Sequence, residues 1–156
     1  MITIKITEEM HKHAEERSQN IPSYKLSYRG GPEANAIGCL GEHIIEDWLN
    51  KNNISFQDER NETTHDYRFG DGKTFDVKTK DRTVPMRSSY ECTTSDYNAE
   101  HQKPYYYLFV SLQRDDPKKN IKDIKNIELH NNNDIRRFHT AFIVGGVKRR
   151  YFNEHS

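Results

Sequence analysis

Residues His65–Lys80, HDYRFGDGKTFDVKTK, read as two short strands around a glycine-rich turn. Centring the hairpin on Asp71 sets Phe69 opposite Lys73, Tyr67 opposite Phe75 and Asp66 opposite Asp76. Cross-strand neighbours have Cβ atoms about 4.5–5.5 Å apart, and like charges at that distance are destabilising. Two carboxylates so placed need a neutralising partner, and a divalent metal is the usual one. Lys78 follows Asp76 by two residues and so projects from the same face of the strand. Two acids and an ammonium on one patch suit metal-assisted phosphodiester chemistry. The plainer alternative for Lys78 is a salt bridge to Asp76, which leaves Asp66 unexplained.

Outward from the hairpin, the chain alternates elements of both types. Ile2, Ile4 and Ile6 alternate with polar residues, as in a short strand. Thr7 is placed to cap a polar, peripheral helix reaching Ser18. Residues 19–31 read as a loop. Pro32 suits the first turn of a second helix extending to Lys51, with Asn52-Asn53 ending it. Ile54–Arg60 reads as a strand, and 81–104 as irregular with one short helix near Ser95–Gln102. Tyr105–Leu112, YYYLFVSL, is the strongest strand signal and reads as buried on both faces. Asp115–Lys119 reads as a charged turn. A brief helix follows Asn131–Asp134, then a second apolar strand over Thr140–Val147. The expected fold class is α/β in the α+β sense: a mixed sheet flanked by helices, in one domain spanning 1–156.

Composition sets limits. Apolar residues make up 33% of the chain and charged residues 31%, so little apolar material is left beyond a core. No run approaches the ~20 apolar residues a membrane span needs, and the N-terminus lacks the pattern of a signal peptide. Cys39 and Cys92 fit neither a metal spacing nor a disulfide framework, so reduced thiols in a cytoplasmic setting are expected. The 24 basic and 24 acidic residues cancel, so any contact with a polyanion must come from local patches.

Around 42, a helix drawn at 100° per residue carries an apolar stripe of Ile37, Leu40, Gly41, Ile44 and Trp48. Glu42 lies on its border, beside Gly38, Ile45 and Leu49. Gly38 and Gly41 allow the helix to approach a sheet closely, which brings Glu42 within reach of the edge bearing Asp66 and Asp76. Taken alone, Glu42 also reads as a solvated surface acid.

Together, GCLGEHIIEDWL, Asp66 and Asp76-Val77-Lys78 resemble the PD-(D/E)XK nuclease superfamily, over roughly residues 32–112. The resemblance implies a restriction-endonuclease-like core, with a helix-borne Glu, a hairpin Asp and a (D/E)-x-K strand. By position Glu42, Asp66, Asp76 and Lys78 match these elements. His65 stands where the motif often has proline. Mg²⁺, with Mn²⁺ able to substitute, is then expected on Asp66 and Asp76, with the Val77 carbonyl a further ligand and Glu42 binding directly or through water. Lys78 would orient or deprotonate the attacking water, or stabilise developing charge. Gln102, just before the YYYLFV strand, matches a polar residue that supports such sites, and His101 lies beside it.

The expected activity is a Mg²⁺-dependent DNA endonuclease acting on duplex or branched DNA. Its size suggests shape reading or action as a homodimer, in a cytoplasm that includes that of a virus-infected host. The alternatives are an exonuclease of the same superfamily, a catalytically inactive nucleic-acid-binding module, and an interaction protein whose acids are ordinary surface charges. Arg29, Lys80, Arg82, Arg87, Lys103 and Lys148-Arg149-Arg150 are candidate phosphate contacts, and Tyr24, Tyr28 and Tyr90 candidate stacking groups. His65 is expected to point away from Asp66 and to serve the structure. His11 and His13, two apart, do not share a helix face, and His130-Asn131-Asn132 reads as a polar loop. No phosphate-binding loop, nucleophile elbow or dinucleotide fingerprint is found.

Overall fold

The computed structural model describes residues 1–20, 31–60, 65–84, 104–116, 128–129 and 134–148. Among them, six strands and two α-helices follow the order β1 (Ile2–Lys5), α1 (Glu8–Gln19), α2 (Gly31–Lys51), β2 (Phe56–Asp58), β3 (Tyr67–Phe69), β4 (Thr74–Arg82), β5 (Tyr106–Arg114) and β6 (Phe138–Lys148). A 3₁₀ turn, Ile135–Arg137, leads into β6. The strands form one mixed sheet in the order β1-β6-β5-β4-β3-β2. β4 and β5 are parallel and every other neighbouring pair is antiparallel. The expected mixed sheet with helices is therefore observed. Residues 21–30 of the expected loop and the whole of the expected Ser95–Gln102 helix lie outside the described residues. So do Gln102, His101, Cys92, the candidate contacts Arg29, Arg87, Lys103, Arg149 and Arg150, the candidate stacking residues Tyr24, Tyr28 and Tyr90, the stretch His130-Asn131-Asn132, and 117–119 of the expected charged turn.

Local chemistry accounts for the elements. Thr7 caps α1, its hydroxyl accepting the Met10 amide at 3.3 Å, and Glu8 and Glu9 sit in the first turn, where the helix dipole favours acids. The helix is polar as expected, yet it is not merely peripheral. Met10, His11 and Ala14 are buried, and the helix packs on α2 and the 3₁₀ turn. At the β3–β4 turn the Phe69 amide donates to the Lys73 carbonyl at 2.8 Å and the Gly72 amide to the Phe69 carbonyl at 2.9 Å. Gly72, at φ +91°, supplies the left-handed residue that closes this three-residue loop. The turn fixes the register Tyr67↔Phe75 and Arg68↔Thr74, as the sequence predicts.

The core lies between the sheet and α2. Leu40, Ile44, Ile45 and Leu49 of the helix pack with Tyr67, Phe75, Val77, Val110 and Leu112. Phe75 stacks on Phe69 and Tyr67, with ring centroids 4.2 and 5.0 Å away. Fully burying a side chain of this size contributes about 1.5–3 kcal/mol, and each aromatic pair adds about 0.5–1.5 kcal/mol. β5 is buried on both faces over Phe109–Leu112, as its apolar run predicts. No helix among the described residues is long and apolar enough to cross a membrane.

Gly41 sets the distance between α2 and β4. A Cβ there would overlap the Thr79 hydroxyl and come within 2.8 Å of its Cγ2, whereas a Cβ on Gly38 meets nothing within 4 Å. Alanine at the two positions should therefore have opposite effects. Gly41→Ala is expected to destabilise by about 1–3 kcal/mol through overpacking. Gly38→Ala is expected to be neutral or to stabilise by up to about 1 kcal/mol through helix propensity. Urea denaturation midpoints measure both, and an unchanged midpoint for Gly41→Ala would refute the close contact.

Candidate active site

The β3–β4 ladder ends at Tyr67↔Phe75, one residue short of the two acids. Asp66 and Asp76 are consequently not a regular ladder pair, contrary to the simple hairpin expectation. The Asp66 amide instead donates to Asp76 Oδ1 at 2.8 Å, and the Asp66 carbonyl accepts the Glu59 amide at 2.8 Å. Pairing of β3 with β4 thus gives way to a side chain bonding across the gap. Asp76 is completely buried, so its carboxylate needs such donors to be tolerated. Lys78, two residues on and 15% exposed, places Nζ 3.8 Å from Asp76 Oδ2 and 5.6 Å from the centroid of the Tyr107 ring. By strand alternation, the backbone groups of Val77 face the side on which β3 has diverged. The structure thus sets the Asp66 backbone amide and the Lys78 ammonium against the Asp76 carboxylate.

Glu42 enters from α2. The helix is rotated slightly towards it relative to the stripe drawn from sequence. Ile45 and Leu49 are fully buried, while Ile37 and Trp48 are only partly so. Glu42 itself is left with a 17% exposed side chain rather than a solvated one. Burial pushes its carboxyl up to about 8, the nearby charge of Asp66 pushes the same way, and Arg60 opposes both. Glu42 and Asp66 therefore feel each other's charge. A carboxyl so displaced by burial and a specific neighbour is the kind of group that marks functional sites.

Sequence reading missed the cluster that holds Glu42. Arg60, 13% exposed, donates from Nη1 to Glu42 Oε1 at 3.0 Å. Its Nε and Nη2 grip the two Asp58 oxygens at 2.9 and 2.7 Å. Its guanidinium lies 5.3 Å from the centroid of the Tyr67 ring, and the Tyr67 hydroxyl donates to Glu46 Oε2 at 2.9 Å. Burial works against the charge on Arg60, but the acids around it more than offset that and hold it firmly cationic. Arg60 stands 18 residues from Glu42, and no local pattern links the two.

His65, His11 and His13 each have partners within the fold. His65 is buried and bonds Glu59 Oε1 through Nε2 at 2.6 Å, a structural tie next to Asp66. His11 bonds the Phe138 carbonyl at 2.9 Å, whereas His13 stacks on His43 with centroids 4.2 Å apart. They point to different partners, as expected of residues two apart on a helix. Cys39 is a buried free thiol.

Asp66, Asp76 and Glu42 are of the donor type that a hard divalent cation takes. Carboxylates are the oxygen ligands Mg²⁺ accepts, and one or two of them suffice when water and a phosphate complete the shell. Burial is the larger cause of the raised Glu42 carboxyl, and the charge of Asp66 adds to it; a cation beside the two acids would offset that second contribution. A preformed cage is absent: among the described residues, no three His, Cys, Asp or Glu side chains converge closely enough to hold a metal by themselves. Compared with protein-family models, curated proteins and solved structures, the chain gives no match.

The raised Glu42 carboxyl has a consequence for stability. Between its ordinary value near 4.5 and about 8, the folded chain retains a proton that the unfolded chain has lost. Folded-state stability from this group is therefore present below that window and declines as pH rises through it. Glu42→Gln should show a shallower fall in urea midpoint between pH 5 and 8 than the natural chain. Parallel pH profiles for the two would remove the assignment.

Proposed function

We propose that this chain is a divalent-metal-dependent deoxyribonuclease, and specifically an endonuclease with a restriction-endonuclease-like core of the PD-(D/E)XK type. The observation that carries the reading is the buried Asp76 carboxylate, tied to the Asp66 amide and flanked by Lys78, where the β3–β4 ladder ends. The order α2, β2, β3, β4, β5, with parallel β4 and β5 and a helix acid beside the hairpin, supports it.

In this reading Asp66 and Asp76 hold Mg²⁺, with the Val77 carbonyl as a further ligand and Glu42 contributing directly or through water. Such an ion would supply Lewis-acid chemistry at a phosphoryl oxygen and would make an attacking water easier to deprotonate. Lys78 adjoins the acids and acts on the attacking water, or on the charge that develops on the phosphate. Its 3.8 Å contact with Asp76 keeps it beside the reacting group. Arg60 fixes one Glu42 oxygen, so the helix acid is held rather than free to rotate. Duplex or branched DNA is the proposed substrate, bound by the monomer or a homodimer in a cytoplasmic setting. A second reading keeps the fold and nucleic-acid binding without catalysis. It is favoured by the same Arg60–Glu42 bond, since a guanidinium already occupies one oxygen of the helix acid.

Supercoiled plasmid tests the proposal. The purified chain is expected to nick or linearise it with Mg²⁺ or Mn²⁺ and not with EDTA. Asp76→Asn, which keeps an acceptor for the Asp66 amide, and Lys78→Met are each expected to lower the rate at least 100-fold, a loss typical of essential polar groups. Undiminished cutting by both folded variants would defeat the proposal. Binding without cutting by the natural chain would select the inactive module.

A further inference from the structure

Alternation along β4 sorts its charges by face. Asp76, Lys78, Lys80 and Arg82 lie on one face, and Phe75, Val77, Thr79 and Asp81 on the other. The Phe75–Thr79 face is the one that meets α2, since Gly41 of the helix abuts Thr79. Asp81, the acid on that face, is paired with Arg114 Nε at 2.9 Å. The opposite face therefore carries one acid followed by three cations in line, running away from the Asp66–Asp76 junction.

The parallel neighbour supplies the ground beside this line. Lys78 is level with Phe109, Lys80 with Ser111 and Arg82 with Gln113. Lys78, Lys80 and Arg82 are all half-buried. Arg82 is further fixed by Nε donating to Ser111 Oγ at 3.1 Å. Alternate residues of a strand stand about 6.6 Å apart, comparable with the spacing of phosphates along an extended nucleic-acid strand. A row of held cations at that interval suits a phosphodiester backbone better than one isolated anion. A single phosphate would need converging donors, and a strand places its side chains in parallel.

We propose that Lys80 and Arg82 form a backbone track, on which one strand of the nucleic-acid substrate lies along β4 as it leaves the acid site. This inference rests on the nuclease reading and adds to it a direction for the bound strand and two contact residues outside the catalytic motif. These two contacts neutralise phosphates and carry no base specificity.

The test is the salt dependence of binding, measured without cleavage. In an Asp76→Asn background with Mg²⁺, anisotropy of labelled duplex and single-stranded oligonucleotides is followed over a NaCl series. Each phosphate contact contributes about 0.9 to the slope of log K against log salt for duplex DNA and about 0.7 for single strands. Lys80→Gln and Arg82→Gln should each reduce the slope by about that amount and weaken binding several-fold, and together by about twice as much. Lys51→Gln removes the same charge from the exposed end of α2, where Lys51 is 70% exposed, and should leave the slope unchanged. Unchanged slopes for Lys80→Gln and Arg82→Gln, with or without a fall in melting temperature, overturn the track. So does an equal effect from Lys51→Gln, which would indicate bulk charge alone. Failure of the chain to bind either oligonucleotide at low salt removes the nuclease reading together with the track. Binding with unaffected slopes removes the track and leaves that reading standing.

Discussion

A carboxylate with no solvent contact is the constraint around which the candidate site is arranged. Asp76 lies inside the sheet, and burying an ionised acid without donors costs far more than a typical hydrogen bond returns. The fold responds in two ways at once. It withdraws β3 from the ladder so that the Asp66 amide reaches Asp76 Oδ1, and it sets the Lys78 ammonium on the same strand face. The first gives a neutral donor, and the second gives a positive charge. The divergence of β3 thus gives this position its acid–amide–amine arrangement, which a regular hairpin would not hold.

The helix acid reaches the same neighbourhood because of packing. Gly41 lets α2 settle onto Thr79 of β4, and the burial of Ile45 and Leu49 turns the border of the helix inwards. Glu42 is carried in with them. Burial and the Asp66 charge are the two largest causes that push its carboxyl up. Arg60 partly offsets both, anchored by Asp58 and lying over the buried Tyr67 ring. Breaking such a buried pair by removing one partner typically costs about 3–5 kcal/mol. The Arg60 cluster therefore couples the position of Glu42 to the stability of the sheet edge formed by β2 and β3.

Much of this was legible in the residues. Thr7, Asn52-Asn53, Gly70 and Gly72 punctuate the chain, and the elements begin and end close to them. The Tyr67↔Phe75 register followed from the turn alone, because a short hairpin leaves one alignment that keeps the aromatic residues on a single face. The β2 segment was less legible: Ile54–Arg60 shrinks to Phe56–Asp58, as the chain bends to bring Arg60 under the helix. The role of α1 was understated, since only three of its side chains are buried and a mean polarity hides them.

Sequence alone determined what local chemistry can encode: the strand periods, the helix caps, the tight turn, and the alternation that puts Asp76, Lys78, Lys80 and Arg82 on one face. These follow from spacings of a few residues, over which the backbone repeat is fixed. Tertiary structure alone decided that the ladder would stop before Asp66, that α2 would turn Glu42 inwards, and that Arg60 would hold it. Each of those depends on groups far apart in the chain competing for one buried space, where the optimum is set by packing volume and by the need to pair every buried charge.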